Sequence, residues 1–248
     1  MLKKIRNVTR WTAIGLPAMV CGFALFIYLG LPDVSDLKTQ NPKTTALMLQ
    51  RFREGRQSQK KIILRQQWVA FAKIPKLFKD TVRIAEDAGF YQHNGVDFAE
   101  LKDAIEKSWQ KRKLVRGAST ITQQLAKNLY LSTDRSIIRK IKEFLIAKRL
   151  EANLSKNRIF HIYLNVIEFG PGIFGVQAAS QSYFQKNVGQ LDLEEIVRLT
   201  AVIPKPLKEN PTQNSRWLKW KATWILNALL RYKYIRQMEY ETVVGKFS

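Results

Sequence analysis

The stretch from Trp11 to Leu31, WTAIGLPAMVCGFALFIYLGL, carries no charged residue, and this constrains the chain more than anything after it. At about 1.5 Å per residue, a helix of this length spans a bilayer core of roughly 30 Å. It has no polar face, so a buried helix of a soluble protein fits it poorly. Lys3, Lys4, Arg6 and Arg10 precede the run, and Asp33 and Asp36 follow it. Cytoplasmic flanks carry the excess of Lys and Arg. The expectation is therefore a cytoplasmic segment 1–10, a single transmembrane anchor 11–31, and a remainder outside the cytosol. Trp11 and Tyr28 stand near the two ends, as interfacial aromatics do. A cleaved signal peptide is the rival, but the apolar stretch is long for one and no clear small-x-small site follows it.

That topology changes the meaning of the charge. The 248 residues carry a formal net charge of +22, which calls for an anionic partner. Outside the cytosol the partner is not nucleic acid. Anionic lipid head groups and lipid-linked phosphates remain. Cys21 is the only cysteine and lies inside the apolar run, so neither an intrachain disulfide nor a catalytic thiol is expected. His93 and His161 are the only histidines, which argues against a histidine-based metal site. No glycine-rich nucleotide fingerprint or phosphate-binding P-loop appears.

Residues 32–64 are polar and basic and read as a linker with one short helix at 46–53. The packed domain then spans 65–248, opening on Trp68, Val69, Phe71, Ile74, Leu77 and Phe78. Helical periodicity recurs over 98–110, 121–131, 137–150, 156–165, 176–184 and 191–203. Trp217, Trp220 and Trp224 mark a last helix at spacings of three and four, a stripe read as core rather than as a membrane-interface belt. Alternation with period two is rare. The fold class is mainly α.

Three clusters carry chemistry. In Ile84–Asp97, Glu86 and Asp87 fall in the last turn of a helix that Gly89 is expected to cap. Negative charge is disfavoured at that end. A carboxylate placed there, beside Phe90 and Tyr91, gains proton affinity and becomes a better general base. The bland alternative is a solvated acidic pair. The second cluster opens a helix at Gly117-Ala118-Ser119-Thr120, with Ser119 or Thr120 as N-cap and N–H groups able to hold an anion. Gln124, Lys127 and Asn128 then share a face, with Gln123 beside them. A polar face in water is the alternative, although buried amides are costly unless they bind something. In the third, Glu143 lies four residues after Arg139 and three after Lys140. That is either an ordinary surface ion pair or a carboxylate held in a cationic cluster. An apolar stripe of Ile137, Ile141, Phe144 and Leu145 is expected on the other side of this helix.

Four motifs, in order, resemble the peptidoglycan glycosyltransferases, the family that polymerises lipid II. Glu86-Asp87-Ala88-Gly89-Phe90-Tyr91-Gln92-His93-Asn94-Gly95 is similar to its EDxxFxxHxG pattern. Gly117 to Asn128 resembles GxSTITQQLxKN, Arg139 to Glu143 resembles RKxxE, and Lys156 to Asn165 resembles KxxIxxxYLN. The likeness covers roughly residues 65–225. Phe160 stands where Leu is usual, and Lys205, between two prolines, where an amide residue is common. The resemblance implies a lysozyme-like, two-lobed helical domain behind one transmembrane helix. It implies transfer of disaccharide-peptide units from undecaprenyl-diphosphate donors to lipid II, giving β-1,4 glycan strands for the cell wall. Glu86 would be the general base, and Glu143 would assist departure of the diphosphate, through a divalent cation (Mg2+ or Mn2+). Asp87, Ser119, Thr120, Gln123, Gln124, Lys127, Asn128, Arg135, Arg139 and Lys140 would bind substrate. The implied setting is the bacterial inner membrane with the catalytic domain in the periplasm. Nascent glycan-linked undecaprenyl diphosphate would be a second ligand, and cell-division or wall-synthesis proteins would be partners.

A lysozyme-like hydrolase is the nearest rival, yet it needs a general acid and has little use for a cationic cradle. A membrane-anchored scaffold would need neither Glu86 nor Glu143. The length leaves no room for an added transpeptidase domain. The Ser-x-x-Lys matches at Ser58–Lys61 and Ser108–Lys111 lack a following Lys-Thr-Gly.

Overall fold

The computed structural model describes Met19, Gly22 and residues 25–59, 62–98, 100–103, 106, 119–134 and 136–247. The helices are α1 (Ala46–Gln57), α2 (Lys76–Glu86), α3 (Ile121–Tyr130), α4 (Ile137–Asn153), α5 (Lys156–Val166), α6 (Val176–Phe184), α7 (Leu193–Val202), α8 (Arg216–Arg231) and α9 (Gln237–Val244). The expected mainly helical class is met. Most starts are written locally by a side chain that accepts an orphan N–H. Thr45, Ser136, Ser155 and Ser215 accept from Met48, Arg139, Arg158 and Leu218 in this way. Thr120 with Gln123, and Asp192 with Glu195, form reciprocal capping boxes.

α3 is the central element and packs against α4, α5 and α1, while α2 lies on α7 and α8. Phe78 and Val82 of α2, Ile121 and Leu125 of α3, Leu150 of α4 and Ile159 and Tyr163 of α5 are fully buried in one core. The turn-rich segment after α5 folds into β2 (Glu168–Gly170) and β3 (Ile173–Phe174), and β1 (Arg65–Gln66) joins them in the order β1-β3-β2. β1 runs parallel to β3 and β2 antiparallel to it. Two turn positions there require glycine. Gly172 and Gly175 have φ of +74° and +80°, and an added Cβ would meet the Ile63 and Asn165 carbonyl oxygens at 2.6 and 2.5 Å.

Three expectations are corrected. The segment read as a linker is docked: Val34, Leu37, Leu47 and Met48 are buried, and α1 runs four residues past the expected end at 53. Arg149 donates to the Tyr28, Leu31 and Pro32 carbonyls, and Arg158 to those of Leu37 and Gln40. The tryptophan stripe is not core, since Trp220 and Trp224 are 56% and 43% exposed. Leu218, Ala222, Ile225, Leu226 and Leu229 form the buried side of α8 instead. The first half of α4 is turned over, with Ile137 81% exposed and Glu143 only 3%. Two cations neutralise Glu143, which allows it inside. Among the described residues no helix is long and apolar enough to cross a membrane. Most of the expected anchor 11–31 lies outside them, as do much of the expected helix 98–110 and the basic residues Lys111, Arg112, Lys113 and Arg116.

Candidate active site

α2 stops at Glu86 because Asp87 turns extended, with φ −167° and ψ 80°. The stop leaves Glu86 at the negative end of the helix. Gly89 is not the cap that was expected. It lies beyond the helix, and a Cβ there would sit 2.9 Å from Asp97 Oδ2. Asp87 closes the helix, and its backbone turn sends its carboxylate inward. Oδ1 meets His93 Nε2 at 2.9 Å, and Oδ2 accepts the Ile121 N–H at 2.9 Å. Burial pushes the Asp87 carboxyl up, against the pull of these two donors. The loop after Glu86 is thereby tied to the first turn of α3.

Glu86 itself is partly buried. Gln124 Nε2 donates to its Oε2 at 3.0 Å, and the Tyr163 hydroxyl donates to Gln124 Oε1 at 2.9 Å. The second bond fixes which end of the amide faces the carboxylate. Burial pushes the Glu86 carboxyl above its ordinary value. Lys221, Gln124 and Lys127 pull it back, and Asp87 adds to the rise. Among the described residues Glu86 has no ion-pair partner within 4 Å. It lines a cleft of about 830 Å³ with Asp97, Lys221, Trp224, Arg231 and Tyr232.

Glu143 is held differently. Arg139 Nη1 reaches it at 2.6 Å, and Lys140 Nζ bonds its other oxygen. Lys140 also donates to Ser119 Oγ at 3.0 Å. Lys127 lies within the field of both acids, and its ammonium makes no hydrogen bond among the described residues. Burial pushes its ammonium down, against Glu143 and Glu86 and with Arg139 and Lys140. It lines a smaller cavity of about 170 Å³ with Gln124, Asn128, Arg51 and Glu168. Gln124 stands between the two spaces, bonding the acid of one and lining the other.

Not every sequence candidate faces open space. Thr120 caps α3 and donates to the Gly95 carbonyl at 2.7 Å, and the Gln123 side chain accepts the Thr120 N–H. Both are buried. The amide that had to bind something binds its own helix. Arg135 lies outside the described residues. Three participants escaped the sequence reading. Tyr163 sits inside a quoted motif, but its bond to Gln124 spans 39 residues. Lys221 lies between Trp220 and Trp224, and that alternation of rings and cations was its one signal. Arg51, in the supposed linker, forks onto Glu168 at 2.9 Å.

Residues 55–230 match the protein family described as Transglycosylase. A biosynthetic peptidoglycan transglycosylase of Methylobacillus flagellatus is 42% identical over 192 residues, 77% of this chain and 83% of that protein. One of the same name from a Janthinobacterium species is 35% identical over 228 residues, 92% of this chain and 97% of its own. Among solved structures, penicillin-binding protein 1A from Haemophilus influenzae aligns at 18% identity with a TM-score of 0.42. That alignment covers 74% of this chain and 18% of the other, too loose to bear on the fold.

Proposed function

This chain belongs to the transglycosylase family, and from that premise we propose how its residues divide the labour of extending a peptidoglycan strand. It is a glycosyltransferase. In the proposed reaction the donor saccharide rides on undecaprenyl diphosphate and the acceptor is lipid II. The Glu86 carboxylate takes the proton of the acceptor 4-hydroxyl while that oxygen attacks the donor anomeric carbon. The bond from that carbon to the diphosphate breaks, and its electron pair leaves on the phosphate oxygen. One observation carries this reading: Glu86 is a cleft carboxylate with raised proton affinity and no bound cation. Such a group is a serviceable base near neutral pH.

The departing diphosphate falls to Lys127, Arg139 and Lys140, with Arg135 assigned by motif alone. Lys127 supports this best, as a half-buried ammonium with no hydrogen-bond partner among the described residues. Ser119, Gln124 and Asn128 would contact substrate around it. Asp87, Thr120 and Gln123 would act by holding the floor of the site. A divalent cation enters as a companion of the substrate diphosphate, whose charge it would neutralise. The residues do not fit a resident metal. Both Glu143 oxygens are engaged by cations, and no group of three or more His, Cys, Asp or Glu among the described residues could hold one.

The membrane setting completes the proposal: an anchor at 11–31, a periplasmic domain and wall-synthesis proteins as neighbours. Exposed Ile137, Ile138 and Ile141 beside Lys140 suit a lipid surface. The test is the purified full chain with lipid II. Polymer is the expected product, and hydrolysed disaccharide would overturn the assignment in favour of a hydrolase.

A further inference from the structure

The large cleft has a second wall, formed by α8, that takes no part in the proposed transfer. α8 packs on α2 and sends Lys221 into the space that Glu86 lines. The Lys221 ammonium is held from two sides. It sits 4.2 Å from the centre of the Trp224 ring and donates to the Ala85 carbonyl at 3.4 Å. Ala85 is the residue before Glu86, so the cation rests on the carbonyl end of α2, where the dipole is most negative. The described residues offer Lys221 no carboxylate within ion-pair distance. Burial pushes its ammonium down and Glu86 pulls it up. A half-buried cation without a paired anion is costly unless it serves a nearby charge.

We propose that Lys221, propped on Trp224 and on the end of α2, is the positioning cation that keeps Glu86 ionised and ready to accept a proton. This rests on Glu86 being the base. Lys221 touches neither the transferred sugar nor the diphosphate in this role and acts through Glu86 alone. The other groups around Glu86 do not replace it. Asp87, Asp97 and Glu100, from the segment after α2, are acids. Gln124 and Tyr163 are neutral. Lys127 of α3 is shared with Glu143, and Arg231 lies on the far part of α8. α7 brings Arg198, which is turned to Glu194 and the Pro211 carbonyl.

The experiment compares Lys221→Met, Lys221→Arg and wild type, full-length in detergent with lipid II, across pH. Loss of the cation disfavours the carboxylate, so the acid limb for Lys221→Met moves to higher pH. On that limb the rate drops about three- to tenfold, while the plateau rate holds far better. Lys221→Arg restores the limb. An unmoved limb in a folded Lys221→Met protein overturns the proposal, as does an equal loss at every pH. The Glu86 carboxyl is followed in parallel by 13C NMR, assigned by the signal that Glu86→Gln removes. A titration that moves up in Lys221→Met upholds the coupling whether or not Glu86 is the base, so failure of the base reading remains separable. A titration that stays in place overturns the coupling.

Discussion

Glu86 and Glu143 are carboxylates taken out of bulk water within one site, yet their surroundings are opposite. Glu143 is almost wholly inside and carries a guanidinium and an ammonium on its two oxygens. Glu86 receives a single amide bond, and Lys221, the cation that pulls on it most, rests on a neighbouring carbonyl. The difference teaches that burial alone does not assign a role. A buried acid with a cation on each oxygen is one half of an ion-pair cluster, and removing either side strands the other. A buried acid without them gains proton affinity and can exchange a proton during turnover.

The comparison breaks hardest at Glu86. Glu86→Gln keeps the shape and the Gln124 contact but cannot accept a proton. Polymerisation of lipid II should fall by about 10²–10⁴-fold, with lipid II binding by the inactive protein largely kept. Near wild-type polymer yield would move the base elsewhere. At Glu143 the expected damage is structural as well as kinetic. Glu143→Ala leaves Arg139 and Lys140 without their anion; because Lys140 is half exposed, denaturant unfolding should report a loss of about 1.5–3 kcal/mol. A loss well under 1 kcal/mol would mean the cluster is solvated like any surface pair.

Replacing the cations sharpens the contrast. Lys127→Met and Lys140→Ala each remove a contact on the order of 1.5–3 kcal/mol to a phosphate group, so kcat/KM should drop about tenfold or more. The smallest effect has the most telling sign. The Glu86 carboxyl is raised on folding, so its ionised form costs stability above the ordinary carboxylate range. That cost vanishes as pH falls below it. Glu86→Gln should therefore raise the melting temperature slightly at neutral pH and lose the gain in acid, whereas Glu143→Gln should lower it. Thermal scans at both pH values check the pair, and the same sign at neutral pH for both would erase the distinction.

Some of this was legible in the chain. Arg139, Lys140 and Glu143 share a helix face by spacing alone. The N-caps at Ser136 and Ser155 and the helices they open follow from residues within one turn. Local hydrogen bonds and the helical repeat need only neighbours in sequence. The same repeat could not say which face of α4 goes inside. Ile137 and Ile141 look like core until two cations let Glu143 take that side. Nor could it say that Trp220 and Trp224 of α8 face out, because Leu218, Ala222, Ile225 and Leu229 offer the same helix an equally apolar face.

The sequence by itself determined the helical class, the motif order and the placing of Glu143 on one helix face with Arg139 and Lys140. Tertiary structure decided what each acid can do. Gln124 reaches Glu86 across 38 residues, Tyr163 reaches Gln124 across 39, and Lys221 reaches the Ala85 carbonyl across 136. Proton affinity depends on the dielectric and the charges within a few ångströms, and those are assembled by packing between α2, α3, α5 and α8 rather than by any spacing along the chain.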